Sequence, residues 1–214
     1  MGVSALLAAL DEDLSEVGQA VALLAAAGVD DPESLSVGEG DRRLLELCRA
    51  VTRAGVEVVA LCPACGELSE AVVSPEAVAP ASPRMTPLGK GGGLREPTYR
   101  DLRELPAGPD EGMHELLARC VVGSPSRAAQ PSDLELVDDS LAGPIVIGCT
   151  ACSEPIAVDV DVQRAVLERL AHRAQEIDHE VHLLASTYHW SLAEIDSLGD
   201  ERRRTLAWLV AETR

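Results

Sequence analysis

Two short segments constrain this chain more than any others: Cys62-Pro63-Ala64-Cys65-Gly66 and Cys149-Thr150-Ala151-Cys152. Each is a Cys-x-x-Cys turn, and two intervening residues let one tight turn aim both sulfurs at a single point. The flanks match as well. Val59-Ala60-Leu61 precedes the first pair and Val146-Ile147-Gly148 the second, an acid (Glu67, Glu154) follows each second cysteine by two residues, and Glu70-Ala71-Val72-Val73 and Ile156-Ala157-Val158 are β-prone. Each half therefore reads as strand, metal knuckle, strand. Four thiolates at tetrahedral corners are the ligand set that soft-ligand zinc sites use, so Cys62, Cys65, Cys149 and Cys152 are the expected ligands of one structural zinc ion. Gly66 would relax the first turn.

The separation is unusual, because 83 residues lie between Cys65 and Cys149, against roughly 15 to 20 in a compact ribbon. The middle of the chain is then an insertion hung from the metal site. The competing reading makes each pair a separate thiol or disulfide with redox chemistry. A reactive cysteine of that kind needs a helix N-terminus to lower its pKa, whereas both pairs here are followed by strand-like residues. Cys48 and Cys120 lie in apolar helical patterns and read as small buried hydrophobes.

The chain of 214 residues is 46% hydrophobic and 25% charged, which is the composition of a folded domain rather than of a disordered one. It has two Trp, two Tyr and no Phe, so its core must come from Leu, Val and Ala, and a metal cross-link would compensate for the smaller area per residue. No apolar run is long enough to cross a bilayer, and the first residues lack a basic start, so no membrane segment and cytoplasmic synthesis are expected. A formal charge of −18 repels a phosphate backbone and argues against nucleic acid as a partner.

Helical spacing is expected over residues 3 to 10, 15 to 28 and Asp41 to Arg53, with Gly55 as the stop before a strand from Val56 to Leu61. Residues 74 to 93, with Pro75, Pro80, Pro83 and Pro87 and ending in Gly89-Lys90-Gly91-Gly92-Gly93, read as loop; the glycine run lacks the Ser or Thr and the strand that a phosphate loop requires. Thr98 and Asp101 form a capping box for a short helix through Leu105, and a helix from Asp110 to Val122 would turn Met113, Leu116, Leu117 and Cys120 inward. Residues 123 to 133 suit a surface connection. From Asp161 onward Val162, Val166, Leu170, Ala174, Ile177, Val181, Leu184 and Tyr188 define one long amphipathic helix ending near His189. Ser191 and Glu194 cap a short helix, and another runs from Asp200 through Trp208. His179-Glu180-Val181-His182 lacks the spacing of a zinc-protease helix.

The expected fold class is α+β, mostly helical, with a small zinc-ribbon-like β element and a C-terminal helical hairpin. The corresponding regions are 1–55 (N-terminal helices), 56–73 with 144–160 (the split β element), 74–143 (inserted loop and helices) and 161–214 (C-terminal helices).

Read in order, Gly40-Asp41-Arg42-Arg43-Leu44-Leu45, Cys62-Pro63-Ala64-Cys65-Gly66-Glu67, Pro97-Thr98-Tyr99-Arg100-Asp101-Leu102, Glu180-Val181-His182-Leu183-Leu184-Ala185 and Tyr188-His189-Trp190-Ser191, continued by Ile195, Leu198 and Arg202-Arg203-Arg204, resemble the T-even-type phage baseplate proteins that act in hub assembly, a family also found in gene clusters of contractile injection systems. The resemblance covers about residues 40 to 210. His189 stands where the family favours Gly, and Leu192 where it favours an acid. The resemblance implies a non-enzymatic assembly factor or minor component of the baseplate hub, in the cytoplasm or incorporated into an assembled particle, with baseplate or hub proteins as partners. It makes Glu180, His182, Tyr188, Trp190 and Arg203 the candidate partner-binding residues; internal packing is the favoured reading for Tyr188 and Trp190. A zinc-ribbon regulator that associates with nucleic acid and a Cys-x-x-Cys redox protein are the alternatives.

Overall fold

The computed structural model describes residues 3–10, 13–81 and 84–212. It is an α+β fold with about 52% of its residues in helices and three small antiparallel sheets. Three helices lead in: α1 (Val3–Ala9), α2 (Glu16–Ala26) and α3 (Val37–Thr52). Ser15 and Ser36 cap α2 and α3 by accepting the N–H of Gly18 and Glu39. The first hairpin follows, β1 (Val56–Leu61) with β2 (Leu68–Val73), in a register that sets Leu61 opposite Leu68.

The next segment builds a second, smaller core. Strands β3 (Met85–Pro87), β4 (Gly92–Arg95) and β5 (Val121–Gly123) form a sheet against α5 (Pro109–Cys120) and α6 (Pro131–Val137), with the one-turn α4 (Tyr99–Leu102) alongside. Leu88, Leu94, Leu117, Cys120 and Val137 fill the space between them. The chain then returns as a second hairpin, β6 (Ala142–Gly148) with β7 (Pro155–Asp161), and ends in the 27-residue α7 (Val162–Tyr188), the short α8 (Leu192–Asp196) and α9 (Asp200–Glu212). The main core lies where α1, α2 and α3 meet the first half of α7, through Leu23, Leu24, Leu44, Leu45, Val166 and Leu170. The second half of α7 packs with α8 and α9 through Leu183, Leu184, Ile195 and Leu206.

Several sequence expectations change in detail. Helix α3 starts four residues before Asp41, because Ser36 supplies the cap. Its stop is Arg53 in the left-handed conformation (φ 62°) rather than Gly55; a Cβ on Gly55 would lie 2.3 Å from the Val73 carbonyl oxygen, so close backbone approach at the base of the first hairpin is what Gly55 serves. The Pro/Gly stretch expected as loop contains β3 and the start of β4. Pairing of Thr86 with Leu94 and Gly93 with Val122 recruits residues of low strand propensity, since burial of Leu88 and Leu94 outweighs it.

Helix α5 ends at Cys120, where the chain enters β5, and Met113 faces solvent. Helix α4 ends at Leu102 instead of Leu105. Helix α6 was not anticipated: Pro131 at its first turn and an N-terminal carboxylate, Asp133, start it inside a polar stretch. The C-terminal region is the three helices expected, with α9 folded back along α7. Helix α7 ends as expected, and its cap His189 is left-handed (φ 58°), the conformation that glycine adopts without strain.

Candidate metal centre

Both Cys-x-x-Cys turns are the tips of hairpins, and the two tips are built alike. In the first, Cys62 N–H donates to the Glu67 carbonyl (2.8 Å) and Gly66 N–H to the Cys62 carbonyl (2.9 Å). In the second, Cys149 N–H donates to the Glu154 carbonyl (2.9 Å) and Ser153 N–H to the Cys149 carbonyl (3.0 Å). The residue after each second cysteine is left-handed: Gly66 at φ 74° and Ser153 at φ 63°. The sequence singled out Gly66; Ser153 meets the same requirement without the glycine that would have announced it.

The hairpins pack inner face to inner face through Ala60, Ala71, Ile145, Ile147, Ile156 and Val158. This brings all four expected ligands together, with their Sγ atoms within 4.8 Å of one another. Cys62 Sγ lies 3.7 Å from Cys152 Sγ, and Cys65 Sγ 3.6 Å from Cys149 Sγ. Both separations are far beyond the ~2.05 Å of a disulfide, and they match the edge of about 3.8 Å that a tetrahedron with metal–sulfur distances of ~2.3 Å requires. Cys62 and Cys149 are buried while Cys65 and Cys152 face solvent, so the site sits at one end of the paired hairpins. Ser69, fully buried, locks the tips together by accepting the Thr150 N–H at 3.2 Å. Cys48 and Cys120 are buried in the two helical cores, away from this cluster.

The electrostatics of the bare thiols explain what the cluster needs. The N–H groups of Cys152 and Ala151 point at Cys149 Sγ (3.5 and 3.4 Å) and draw that thiol down to about 6 against its burial. At Cys65 the Glu67 N–H also pulls downward, but the neighbouring thiols of Cys152, Cys149 and Cys62 outweigh it and push Cys65 up to about 12. Cys152 is raised as well: the Glu154 N–H and Cys65 lower it, and Cys149, burial and Cys62 prevail. One thiolate forms readily, and further thiolates at these distances repel it. A cation bound by all four sulfurs removes that conflict, and four protein ligands close its shell. The cluster can therefore hold a metal ion. It is the only grouping of three or more potential ligands of this kind among the described residues; His179 and His182 are both exposed and belong to none.

The candidate partner-binding residues divide. Glu180 accepts from Arg173 Nη1 (2.7 Å) and Arg203 Nε (2.8 Å), and Asp200 accepts from Arg173 Nη2 (2.8 Å) and Arg203 Nη2 (2.6 Å). Arg173 and Arg203 are only 3% and 4% exposed. Glu180 and Arg203 are thus internal, tying α7 to α9. Burial works against the Asp200 carboxylate, yet Arg173 and Arg204 hold it below its ordinary value. Tyr188 stacks on Trp190 with ring centroids 4.8 Å apart; Trp190 packs on the C-terminal core, whereas Tyr188 remains 40% exposed and His182 faces solvent.

Sequence reasoning overlooked Arg173 and Asp200, although Arg173 lies two turns before Glu180 on the same helical face. It also overlooked the buried contact of Asp41, which accepts the Tyr99 hydroxyl (3.3 Å) and the Leu141 N–H (2.9 Å). Two glycines inside a helix, Gly38 and Gly40, were the available signal: Cβ atoms there would lie 2.3 Å from the Asp139 carbonyl and 2.1 Å from the Tyr99 ring. Comparison with protein-family models, with curated proteins and with solved structures finds no match. Among the described residues no helix is long and apolar enough to cross a membrane.

Proposed function

We propose that this chain is a zinc-pinned scaffold that works by contact with other proteins, as an assembly factor or minor component of the baseplate hub of a contractile phage tail or contractile injection system. The observation that carries the scaffold reading is the convergence of four cysteine sulfurs, two from each of two like-built hairpins, within 4.8 Å. A tetrahedral all-sulfur set suits zinc or iron; zinc is the redox-inert choice for a closed site whose role is to hold two chain segments together. When bound, the ion supplies cross-linking and no open coordination position.

The baseplate assignment rests on the sequence resemblance, and two features are consistent with it. Two pairs among the motifs that carry the resemblance meet in space: Asp41 and Tyr99 hydrogen-bond, and Glu180 pairs with Arg203. The charge of −18 favours basic protein surfaces over nucleic acid.

Two measurements test the proposal. Metal analysis of anaerobically purified protein should return about one zinc per chain; iron, or two oxidised cysteine pairs without metal, would overturn the zinc assignment. Deleting the chain from cells that carry its whole gene cluster should abolish assembled baseplates while sheath and tube proteins are still made. Normal particles from such cells would remove the baseplate assignment and leave the scaffold reading standing.

A further inference from the structure

The two metal hairpins are near-duplicates on the inside and differ on the outside. Along β1 and β2 the outward residues are Glu57, Val59, Leu61, Leu68, Glu70 and Val72. The register makes them three rungs of one ladder: Leu61 opposite Leu68, Val59 opposite Glu70 and Glu57 opposite Val72. Four of the six are large aliphatics, and each is half exposed or more: Val59 50%, Leu61 64%, Leu68 54% and Val72 56%. On β6 and β7 the outward residues are small or polar, with Ala142, Pro144, Ala157 and Asp159 around a single large one, Val146.

An antiparallel sheet with one face on a core normally turns polar side chains to water on the other, and a run that is apolar on both faces belongs to a strand covered on both sides. The knuckle does not demand this face, since the second hairpin holds the same turn without it. The cost of leaving four such side chains in water is met if something covers them.

We infer that the outer face of the β1–β2 hairpin docks a partner protein whose contact surface is apolar at its centre and carries lysine or arginine at its rim. This rests on the protein-contact reading above. The rim chemistry follows from charge: Glu57 and Glu70 stand within the ladder, Glu67 is exposed in the adjoining turn, and the outward rungs contain no basic residue. A second copy of the chain would bring the same carboxylates against each other, and juxtaposed like charges disfavour that pairing. A partner with cations at those positions gains complementarity and is steered in by the field of a chain carrying −18. The face is also held in advance, by the cysteine cluster at its tip and by Val56 and Val58, which are buried in the main core, at its base. Little ordering is left for binding to supply.

The test places the photo-crosslinking residue p-benzoylphenylalanine at Leu61 in the full chain, expressed in the cells that encode it, and at Val146 on the second hairpin as the internal control. The expected result is an adduct with a different protein from position 61, about tenfold more abundant than from position 146, whose cross-linked segment bears lysine or arginine. Adding Leu68→Ser, which preserves charge, should cut the adduct about tenfold while metal content and melting temperature stay unchanged. Absence of an adduct at 61, equal yields at 61 and 146, an adduct with a second copy, an acidic contact segment, or an adduct indifferent to Leu68→Ser would each overturn the inference. An adduct with a protein foreign to any contractile baseplate would leave the docking face standing and remove the baseplate assignment. If baseplates depend on the chain but position 61 gives no adduct, the assignment survives and the docking face does not.

Discussion

The cysteine cluster joins residues 84 and 90 positions apart, whereas the arginine cluster on α7 and α9 joins residues 23 and 27 apart. The first uses four identical soft ligands that repel one another as thiolates and need an added cation. The second is self-sufficient: the buried Arg173 and Arg203 are each paired with both Glu180, which is mostly buried, and Asp200, which stays 37% exposed. On the proposed reading one cluster is conditional on an added ion, whereas the other carries both of its charges on the chain. If the proposed ion is what closes the split β element, that long-range closure depends on supply, while the C-terminal helices dock without it.

Breaking the first cluster should have the largest effect. Cys62→Ser, or chelation of the wild type, should release the metal and separate the two hairpin tips. Hydrogen exchange should rise over residues 56–73 and 142–161, with apparent stability falling by several kcal/mol because binding free energy is folding free energy at such sites. The α7–α9 amides should stay protected. Uniform loss of protection across the chain would contradict the division between conditional and fixed clusters.

Glu180→Ala comes next. It leaves two buried guanidinium groups short of a partner, a change that costs about 3–5 kcal/mol where a buried ion pair is broken. Metal content should be unaffected, and Glu180→Ala should loosen α9 rather than abolish partner contact alone. Replacing Arg173, Glu180 and Arg203 by Met, Leu and Met together with Asp200→Asn, which accepts from both arginines, should recover most of the loss, since a set without buried charge is often as stable as the ions it replaces. Calorimetry of the single and combined variants checks both.

These two clusters were unequally legible in the sequence, for a physical reason. Two cysteines at a fixed spacing, repeated with matching flanks, are rare enough to announce a ligand set and specify strand, turn, strand around it. Arg173 and Asp200 belong to residue types that mostly face water, so nothing in their spacing separates a buried network from a solvated face. The same contrast holds for elements. Helix α7 was readable because Val162, Val166, Leu170 and Ile177 repeat over many turns, and the Ser191 cap because its box is local. The β3–β4–β5 sheet was not, since Met85, Pro87 and Gly93 become strand only when long-range pairing and the burial of Leu94 select it.

Asp41 tests how acid acts on the joint between the helical core and the second hairpin, because its carboxylate holds Leu141 at the threshold of β6. Burial raises it from 3.8 to about 6, against the Leu141 and Tyr99 hydrogen bonds. A folded-state value above the unfolded one means that the native state keeps a proton the unfolded state loses. Stability from this group consequently falls as pH rises from 4 to 6, and the cost, about 3 kcal/mol, is complete above that window. The cysteine cluster has the opposite sign, as protons compete with metal for thiolates. Asp41→Asn should raise the melting temperature near pH 7 by about 6–12 °C, and the gain should vanish by pH 4. A gain independent of pH would show that the carboxylate is not the group responsible.

The smallest effect expected is also the one that separates the metal from the protein groups around it. Ser69 is a buried hydroxyl that spans the two hairpin tips, accepting the Thr150 N–H. Ser69→Ala strips the N–H of Thr150, an exposed residue, of its acceptor and should cost about 0.5–1.5 kcal/mol, the net worth of one such hydrogen bond. With an ion bound the four sulfurs still hold the tips, so metal content should stay unchanged and the loss should register mainly as faster exchange at Thr150 and faster metal release to a chelator. In the metal-free chain the same substitution should cost little, because the tips have already separated. An equal penalty with and without metal would mean that the hairpins are clamped by their packing and that the ion is a passenger, which would move this element into the same self-sufficient class as the α7–α9 cluster.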